Sequence, residues 1–251
     1  MPVSTSPTSR PSVGGRAAAL AADASVLLSL LRGLPRRSSS HAEALARFYG
    51  PQAHRYDDFR ERLLRGREEL IQALPAGPGD RIVELGGGTG RNLEFFGPRL
   101  KTFAAIDVVD LCQPLLDIAA TRVAGMPNVR VVNGDASTWQ PATPVDCVYL
   151  SYALTMMPSW EAVIDNAAAM LRPGGTIGVV DFYVSPAHGW LTRTMWPAWF
   201  RHDGVRLCAD HLISLRRRFE TCQLSECRAP VPYIPLVTAR YYVFIGRKAR
   251  C

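Results

Sequence analysis

The chain has 251 residues, 47% of them hydrophobic and 20% charged, an ordinary globular balance with enough length for one large core. No run of eighteen or more uninterrupted apolar residues occurs, which argues against a spanning helix, and the six cysteines form no CxxC pair and no His/Cys cluster at zinc spacing. Net charge is +7, and residues 1–40 hold +4 of it, with Arg10, Arg16, Arg32, Arg36 and Arg37 set against Asp23.

Only Lys101 and Lys248 are lysines, so 27 of the 29 basic residues are arginine. That bias reads either as codon usage or as attraction to an anionic membrane surface, where each nearby cation adds roughly 1 kcal/mol. No aromatic-and-basic RNA motif is present. Scattered cysteines of this kind suit a reducing cytosol and act as small hydrophobes.

Residues 1–16 are rich in Ser, Thr, Pro and Gly and read as disordered. Residues 17–34 mimic a signal peptide superficially, but Asp23 interrupts the apolar run and no small-residue cleavage site follows. They read as an amphipathic helix, either touching lipid or functionless. From residue 41 to 74, Leu45, Phe48, Gln52, Tyr56, Phe59, Leu63, Arg67 and Leu70 recur at helical spacing, and Gly50-Pro51 splits the stretch into two helices.

The chain then alternates strand and helix, the sign of an α/β fold with a parallel sheet. Strands are expected at 81–85, 103–109, 129–133, 145–151 and 176–182, and helices near 90–97, 113–124 and 160–171. Arg172-Pro173-Gly174-Gly175 is expected to be a loop closing the last of these helices. An aromatic-rich cap follows over about 186–219, with a helix opened by Asp210, and two final strands near 220–228 and 240–246 make a hairpin-like edge. The expected organisation is a tail over 1–40 and one domain over 41–251.

The first strand, Ile82-Val83-Glu84-Leu85, runs into Gly86-Gly87-Gly88-Thr89-Gly90. Glycines between a strand and a helix let a ligand approach bare backbone at a helix N-terminus. A dinucleotide fingerprint would need its third glycine at position 91, which is Arg91. The acidic-x-Gly-x-Gly-x-Gly spacing instead resembles the first motif of class I S-adenosylmethionine-dependent methyltransferases. That resemblance implies a Rossmann-like, seven-stranded, mostly parallel sheet with N-terminal helices and a helical cap after strand five. It also implies S-adenosylmethionine as methyl donor, held by Glu84, Gly86, Gly88 and Gly90.

In doubly wound sheets the ligand lies beyond the carboxyl ends of the strands. Strand two ends in a carboxylate able to accept both ribose hydroxyls; Asp110, followed by Leu111, is favoured over Asp107, which otherwise caps or turns. After strand three, Asp135 suits the adenine amino group, with the amide of Ala136 serving a ring nitrogen. Strand four ends in Ser151-Tyr152, at the reactive end, where Tyr152 reads equally as a core tyrosine. Arg67, on the apolar stripe before strand one, suits the carboxylate of the donor, that of an acceptor, or a plain salt bridge. No metal site is expected.

A closer resemblance covers about residues 41–247. The segment HAEALARFYGPQAHRYDDFRERLLRGREEL, then IVELGGGTGRNLEFF, VVDLCQPLLDIA, YALTMMPSW, RPGGTIGVVDFYVS and WPAWFRHDGV, resembles the methyltransferase of betaine-lipid synthesis. It implies three successive N-methylations of diacylglyceryl-homoserine. A separate aminocarboxypropyl transferase would supply that lipid, because the domain that makes it is absent from this sequence. The enzyme would be cytoplasmic, peripheral on the inner membrane surface, and would have no nucleic-acid partner.

Aromatic faces suit a head group that becomes a permanent cation. Tyr49, Tyr56, Tyr152, Trp199 and Tyr233 lie outside the expected central strands, with Tyr152 and Tyr56 first in line, and His202-Asp203 is a candidate proton-acceptor pair. Met195, Trp196, Trp199 and Phe200 beside Arg193 and Arg201 read as an interfacial segment or as core packing. Two rival readings are a methyltransferase of soluble amines and a non-catalytic binding protein of the same fold.

Overall fold

The computed structural model describes residues 40–50, 63–183, 210–230 and 238–250. Expectations for the tail, for the helix at 17–34, and for Tyr56, Asp57, His202, Asp203, Tyr233 and the aromatic cap over 186–209 lie outside those residues.

Helix α1 (His41–Tyr49) starts where the Ser40 hydroxyl accepts from the Glu43 amide, an N-cap that satisfies one free donor of the first turn. Helix α2 (Arg67–Ala73) presents Arg67, Leu70 and Ile71 to the interior. The alternating part comprises β1 (Arg81–Leu85), a 3-10 stretch (Arg91–Thr102), β2 (Ala105–Asp110), α3 (Gln113–Arg122), β3 (Val129–Asn133), β4 (Val145–Ser151), a 3-10 turn (Leu154–Met156), α4 (Trp160–Met170) and β5 (Leu171–Phe182). Helix α5 (Asp210–Arg218) and strands β6 (Glu220–Pro230) and β7 (Thr238–Arg247) complete it.

The seven strands form one sheet in the order β3-β2-β1-β4-β5-β7-β6. Pairings from β3 through β5 are parallel, and β7 runs antiparallel between β5 and β6. This is the expected α/β class with its Rossmann-like order. The order reverses between β1 and β4, which places the switch point beside the glycine turn.

Period-two alternation divides the core. Ile82, Ile106, Cys147 and Tyr149 face one layer with Leu70, Ile71 and Phe96. Val83, Leu85, Val148 and Leu150 face the other with Val163, Ile164 and Ala167 of α4. Both faces of the sheet are therefore covered, as parallel sheets require.

Three boundaries differ from expectation. Strand β2 extends through Asp110, and α3 starts only at Gln113, so Asp110 is a strand end rather than a helix lead. The helix after the glycine turn is a 3-10 stretch broken at Gly97, with Pro98 beyond it. Arg172–Gly175, expected to be a loop, lies inside β5, and the β4–β5 register shifts between Val145 and Cys147 to take it up.

Candidate cofactor and acceptor site

Gly86, Gly88 and Gly90 all have positive φ, at 73°, 54° and 68°, conformations that L side chains rarely adopt. Gly86 also has no room for a side chain, since a Cβ there would sit 2.6 Å from the Cβ of Ala153. The turn is tied to the neighbouring strand end. Asp110 Oδ2 accepts from the Gly88 amide at 2.8 Å, Asp110 Oδ1 accepts from the Cys112 amide at 2.8 Å, and the Asp110 carbonyl accepts from the Gly134 amide at 3.0 Å. Three strand-end loops thus meet on one residue.

A cavity of about 290 Å³ opens between them. Gly86, Gly88, Asp110, Leu111, Asp135 and Ala136 line it, six of the residues the sequence nominated as cofactor contacts. Asp135 turns its Oδ1 to the Ser137 amide and hydroxyl, at 2.8 and 2.7 Å, which fixes the loop. Asp107 stays out of the cavity: both its oxygens accept from Arg130, its register partner on β3, at 2.7 and 3.0 Å.

Four nominated residues do not line the cavity. Glu84 is fully buried, with Oε1 accepting from Asn92 Nδ2 at 2.7 Å and Oε2 accepting from the Tyr149 hydroxyl at 2.8 Å. Alternation along β1 sends it into the Ile82 layer, where it braces the turn. Gly90 faces α3, where a Cβ would meet that of Ala119 at 3.4 Å. Arg67 is buried, donates to the Leu64 carbonyl at 3.1 Å and to Asn92 Oδ1 at 3.3 Å, and lies over the Phe95 ring. Ser151 is buried, and its Oγ has no hydrogen-bond partner.

Tyr152 does line the cavity, but not as an acid or base. Its hydroxyl donates to the Arg65 carbonyl at 2.6 Å, and burial pushes its pKa well above the usual phenol value. Its ring packs on Phe182 at 4.5 Å. The residue also has φ 54°, the only positive φ outside glycine among the described residues. Its contribution is therefore a fixed aromatic wall. Tyr56 and His202, the other catalytic nominations, lie outside the described residues.

Sequence reasoning missed several contributors. Leu45 of α1, read only as part of a helical stripe, reaches the cavity beside Tyr49, which the sequence did name among the aromatic faces, and both pack with Cys112 and Leu115. Met156 and Met157 form the far wall. Behind it, fully buried Asp181 accepts from the Thr155 hydroxyl at 2.7 Å, the Thr155 amide at 3.1 Å and the Phe182 amide at 2.8 Å. Burial raises its pKa to about 6, against the lowering effect of those hydrogen bonds.

Charge in the cavity is one-sided. Asp110 and Asp135 supply two carboxylates, and no Lys, Arg or His is among the described lining residues. The nearby guanidinium groups are engaged elsewhere: Arg67 with Asn92, Arg130 with Asp107, and Arg122 with the Thr89 carbonyl and Glu94. Among the described residues, no group of three or more His, Cys, Asp or Glu side chains is placed to hold a metal ion. No helix of the described residues is long and apolar enough to cross a membrane.

Comparison with known proteins gives a consistent result. Residues 52–225 match the model of a methyltransferase domain family. Trans-aconitate 2-methyltransferase of Rhizobium rhizogenes is 26% identical over 160 residues, covering 61% of this chain and 61% of that protein. The enzyme of the same name from Variovorax paradoxus is 32% identical over 126 residues, 50% of this chain and 46% of that protein. The chain thus spans about half to three fifths of the length of these relatives. A phosphoethanolamine N-methyltransferase 2 from Haemonchus contortus shares the fold, with a TM-score of 0.67 at 12% identity, over 84% of this chain and 61% of that one.

Proposed function

The chain belongs to the methyltransferase domain family, and on that premise we propose that it is an S-adenosylmethionine-dependent N-methyltransferase that converts diacylglyceryl-homoserine to its trimethylated betaine form. The observation that carries this reading is the described lining of the cavity, acidic and aromatic, with no cation among the described residues. Two carboxylates and an apolar, aromatic wall of Tyr49, Tyr152, Met156 and Met157 suit a sulfonium donor and an acceptor whose product is a quaternary ammonium. Trans-aconitate, the acceptor in the relatives' name, is an anion and offers that aromatic wall no cation.

The described residues fit the donor. Asp110 has each oxygen held by a backbone amide, and a carboxylate fixed in this way at a strand end suits a pair of ribose hydroxyls. Asp135 and the Ala136 amide flank the place for a purine edge, and the side-chain-free Gly88 leaves backbone exposed to the cavity. S-adenosylmethionine, when bound, supplies an electrophilic methyl on a sulfonium.

The chain's own part is positioning and exclusion of water. The acceptor nitrogen must arrive neutral; its lone pair forms the new N–C bond as the S–C bond breaks and that electron pair passes to sulfur. A proton leaves before each of three rounds, and the third product has none left to lose. In-line alignment supplies much of the acceleration and requires no strong base. Tyr152, with its hydroxyl held by Arg65, contributes a surface rather than a proton. We further place the enzyme as a peripheral protein on the membrane that holds its lipid, supplied with substrate by a separate aminocarboxypropyl transferase.

The test is incubation of purified protein with labelled S-adenosylmethionine and diacylglyceryl-homoserine, with mass spectrometry of the lipid. Mono-, di- and trimethylated products are expected, and no turnover of trans-aconitate in a parallel reaction. Intact donor binding with no methylated lipid overturns the assignment.

A further inference from the structure

Between Leu64 and α2 the chain makes a short junction, Arg65-Gly66-Arg67, that contacts both halves of the site. On one side, the Arg65 carbonyl accepts from the hydroxyl of Tyr152, in the wall that follows β4. On the other, the Arg67 guanidinium donates to Asn92 Oδ1, and Asn92 in turn donates to Glu84. Glu84 and Asn92 stand at the two ends of the glycine turn, so their bond closes the turn across its base. Two hydrogen bonds that leave residues only two apart therefore reach the donor turn and the acceptor-side wall.

The junction has little freedom to absorb a shift. Gly66 has φ 83°, and a Cβ on it would lie 2.5 Å from the Tyr241 ring and 3.2 Å from Val180. Its carbonyl accepts from the Leu70 amide at 2.9 Å, the first bond of α2. The wall is equally constrained: Tyr152 sits in a left-handed conformation while its amide donates to the Val180 carbonyl at 2.7 Å and its ring packs on Phe182. Strain of this kind persists only where the surroundings over-determine it.

We infer that Arg65–Gly66–Arg67 is a positioning element that couples the glycine turn to the Tyr152 wall, so that occupancy of the donor site is transmitted to the acceptor side. Packed segments with defined partners carry such coupling when both sites bias the same element. The inference uses the reading of the cavity as a nucleoside-donor site and does not depend on which acceptor is methylated.

A double-mutant cycle tests it with a ligand that needs no acceptor. Wild type, Tyr152→Phe, Asn92→Ala and the double variant are titrated calorimetrically with S-adenosylhomocysteine, and thermal midpoints are read on the same four proteins. Tyr152→Phe keeps the ring on the cavity and removes only the bond to Arg65. The expected result is a Kd for the double variant that departs from the product of the single effects by about threefold or more, as for contacts within one network. Arg67→Lys, which loses the planar fork, is expected to bring the cycle back to additivity.

Additive Kd effects with Arg67 intact, or non-additivity that persists in Arg67→Lys, overturn the inference. Midpoints whose non-additivity matches that in Kd assign the junction to stability alone and overturn it too. If wild type fails to bind S-adenosylhomocysteine, the donor-site reading falls first and this inference with it.

Discussion

Asn92 and Glu84 are joined by a 2.7 Å hydrogen bond deep in the core, and the bond spans the glycine turn from one end to the other. With the Tyr149 hydroxyl on its second oxygen, the Glu84 carboxylate accepts two side-chain hydrogen bonds, one from the 3-10 stretch after the turn and one from β4. A turn built on three positive-φ glycines has much entropy to lose, and this pair holds it.

Glu84→Gln tests that bracing. An amide must aim its NH2 at Asn92 or at Tyr149, both of which are donors there, so one buried donor loses its partner. The expected loss is about 1–3 kcal/mol in urea unfolding, with weaker donor binding. A stability equal to wild type would remove the bracing role.

Asp110→Asn separates cofactor recognition from folding. The substitution keeps the size but places an NH2 against the amide of Gly88 or of Cys112, and it removes the charge that favours ribose hydroxyls. Charge-assisted bonds of this type are worth enough that Kd for S-adenosylhomocysteine is expected to rise about 10- to 100-fold. Asp107→Asn, which breaks only the pair with Arg130, should leave that Kd within about twofold, because Asp107 is buried beside Arg130 and does not line the cavity.

Asp181 sets a pH dependence of known sign. Its folded pKa is raised to about 6 by burial, so the folded state holds the proton more tightly than the unfolded chain does. The stability it contributes is full below about pH 4 and is lost as pH rises through 6, in total roughly 3 kcal/mol at 1.36 kcal/mol per pKa unit. Urea unfolding of wild type and Asp181→Asn from pH 4 to 7 should show the difference between them changing over that window. A constant difference would contradict the raised pKa.

His211 acts in the opposite sense. It is fully buried against Trp160 at 4.6 Å, neither ring nitrogen has a hydrogen-bond partner among the described residues, and burial lowers its pKa to about 4. Its neutral form is the stable one, so its contribution is full above about pH 6.5 and is lost as pH falls toward 4. His211→Phe removes two unpaired polar atoms and should flatten acid unfolding without loss of stability at neutral pH. Destabilisation at neutral pH by more than about 1 kcal/mol would show that the imidazole has a partner.

The strand ends were legible because a parallel sheet leaves little choice about where a ligand lies. Asp110, Asp135 and the glycines needed only the count of strands before them. What failed was direction. A carboxylate two residues before a glycine looks the same whether it faces ligand or core, and Glu84 is settled by Tyr149, 65 residues away. Gly90 was read as contact surface, whereas its freedom serves the positive φ at which the turn enters the 3-10 stretch, on the side facing Ala119. Asp181 passed as a strand end because its partner Thr155 is found only across the β4–β5 register. Leu45 looked like core because, toward Cys112 and Leu115, it is core, whereas Tyr49 beside it was legible as an aromatic face.

Those last two residues bear on how fast the site can turn over. Helix α1 is nine residues long, and its described anchoring is a small apolar cluster apart from the two main cores. Short elements with few buried contacts open at a small fraction of the global unfolding cost. Amide exchange in α1 that slows when S-adenosylhomocysteine binds, with the sheet unchanged, is the expected sign that nucleoside entry and the opening of this helix are linked.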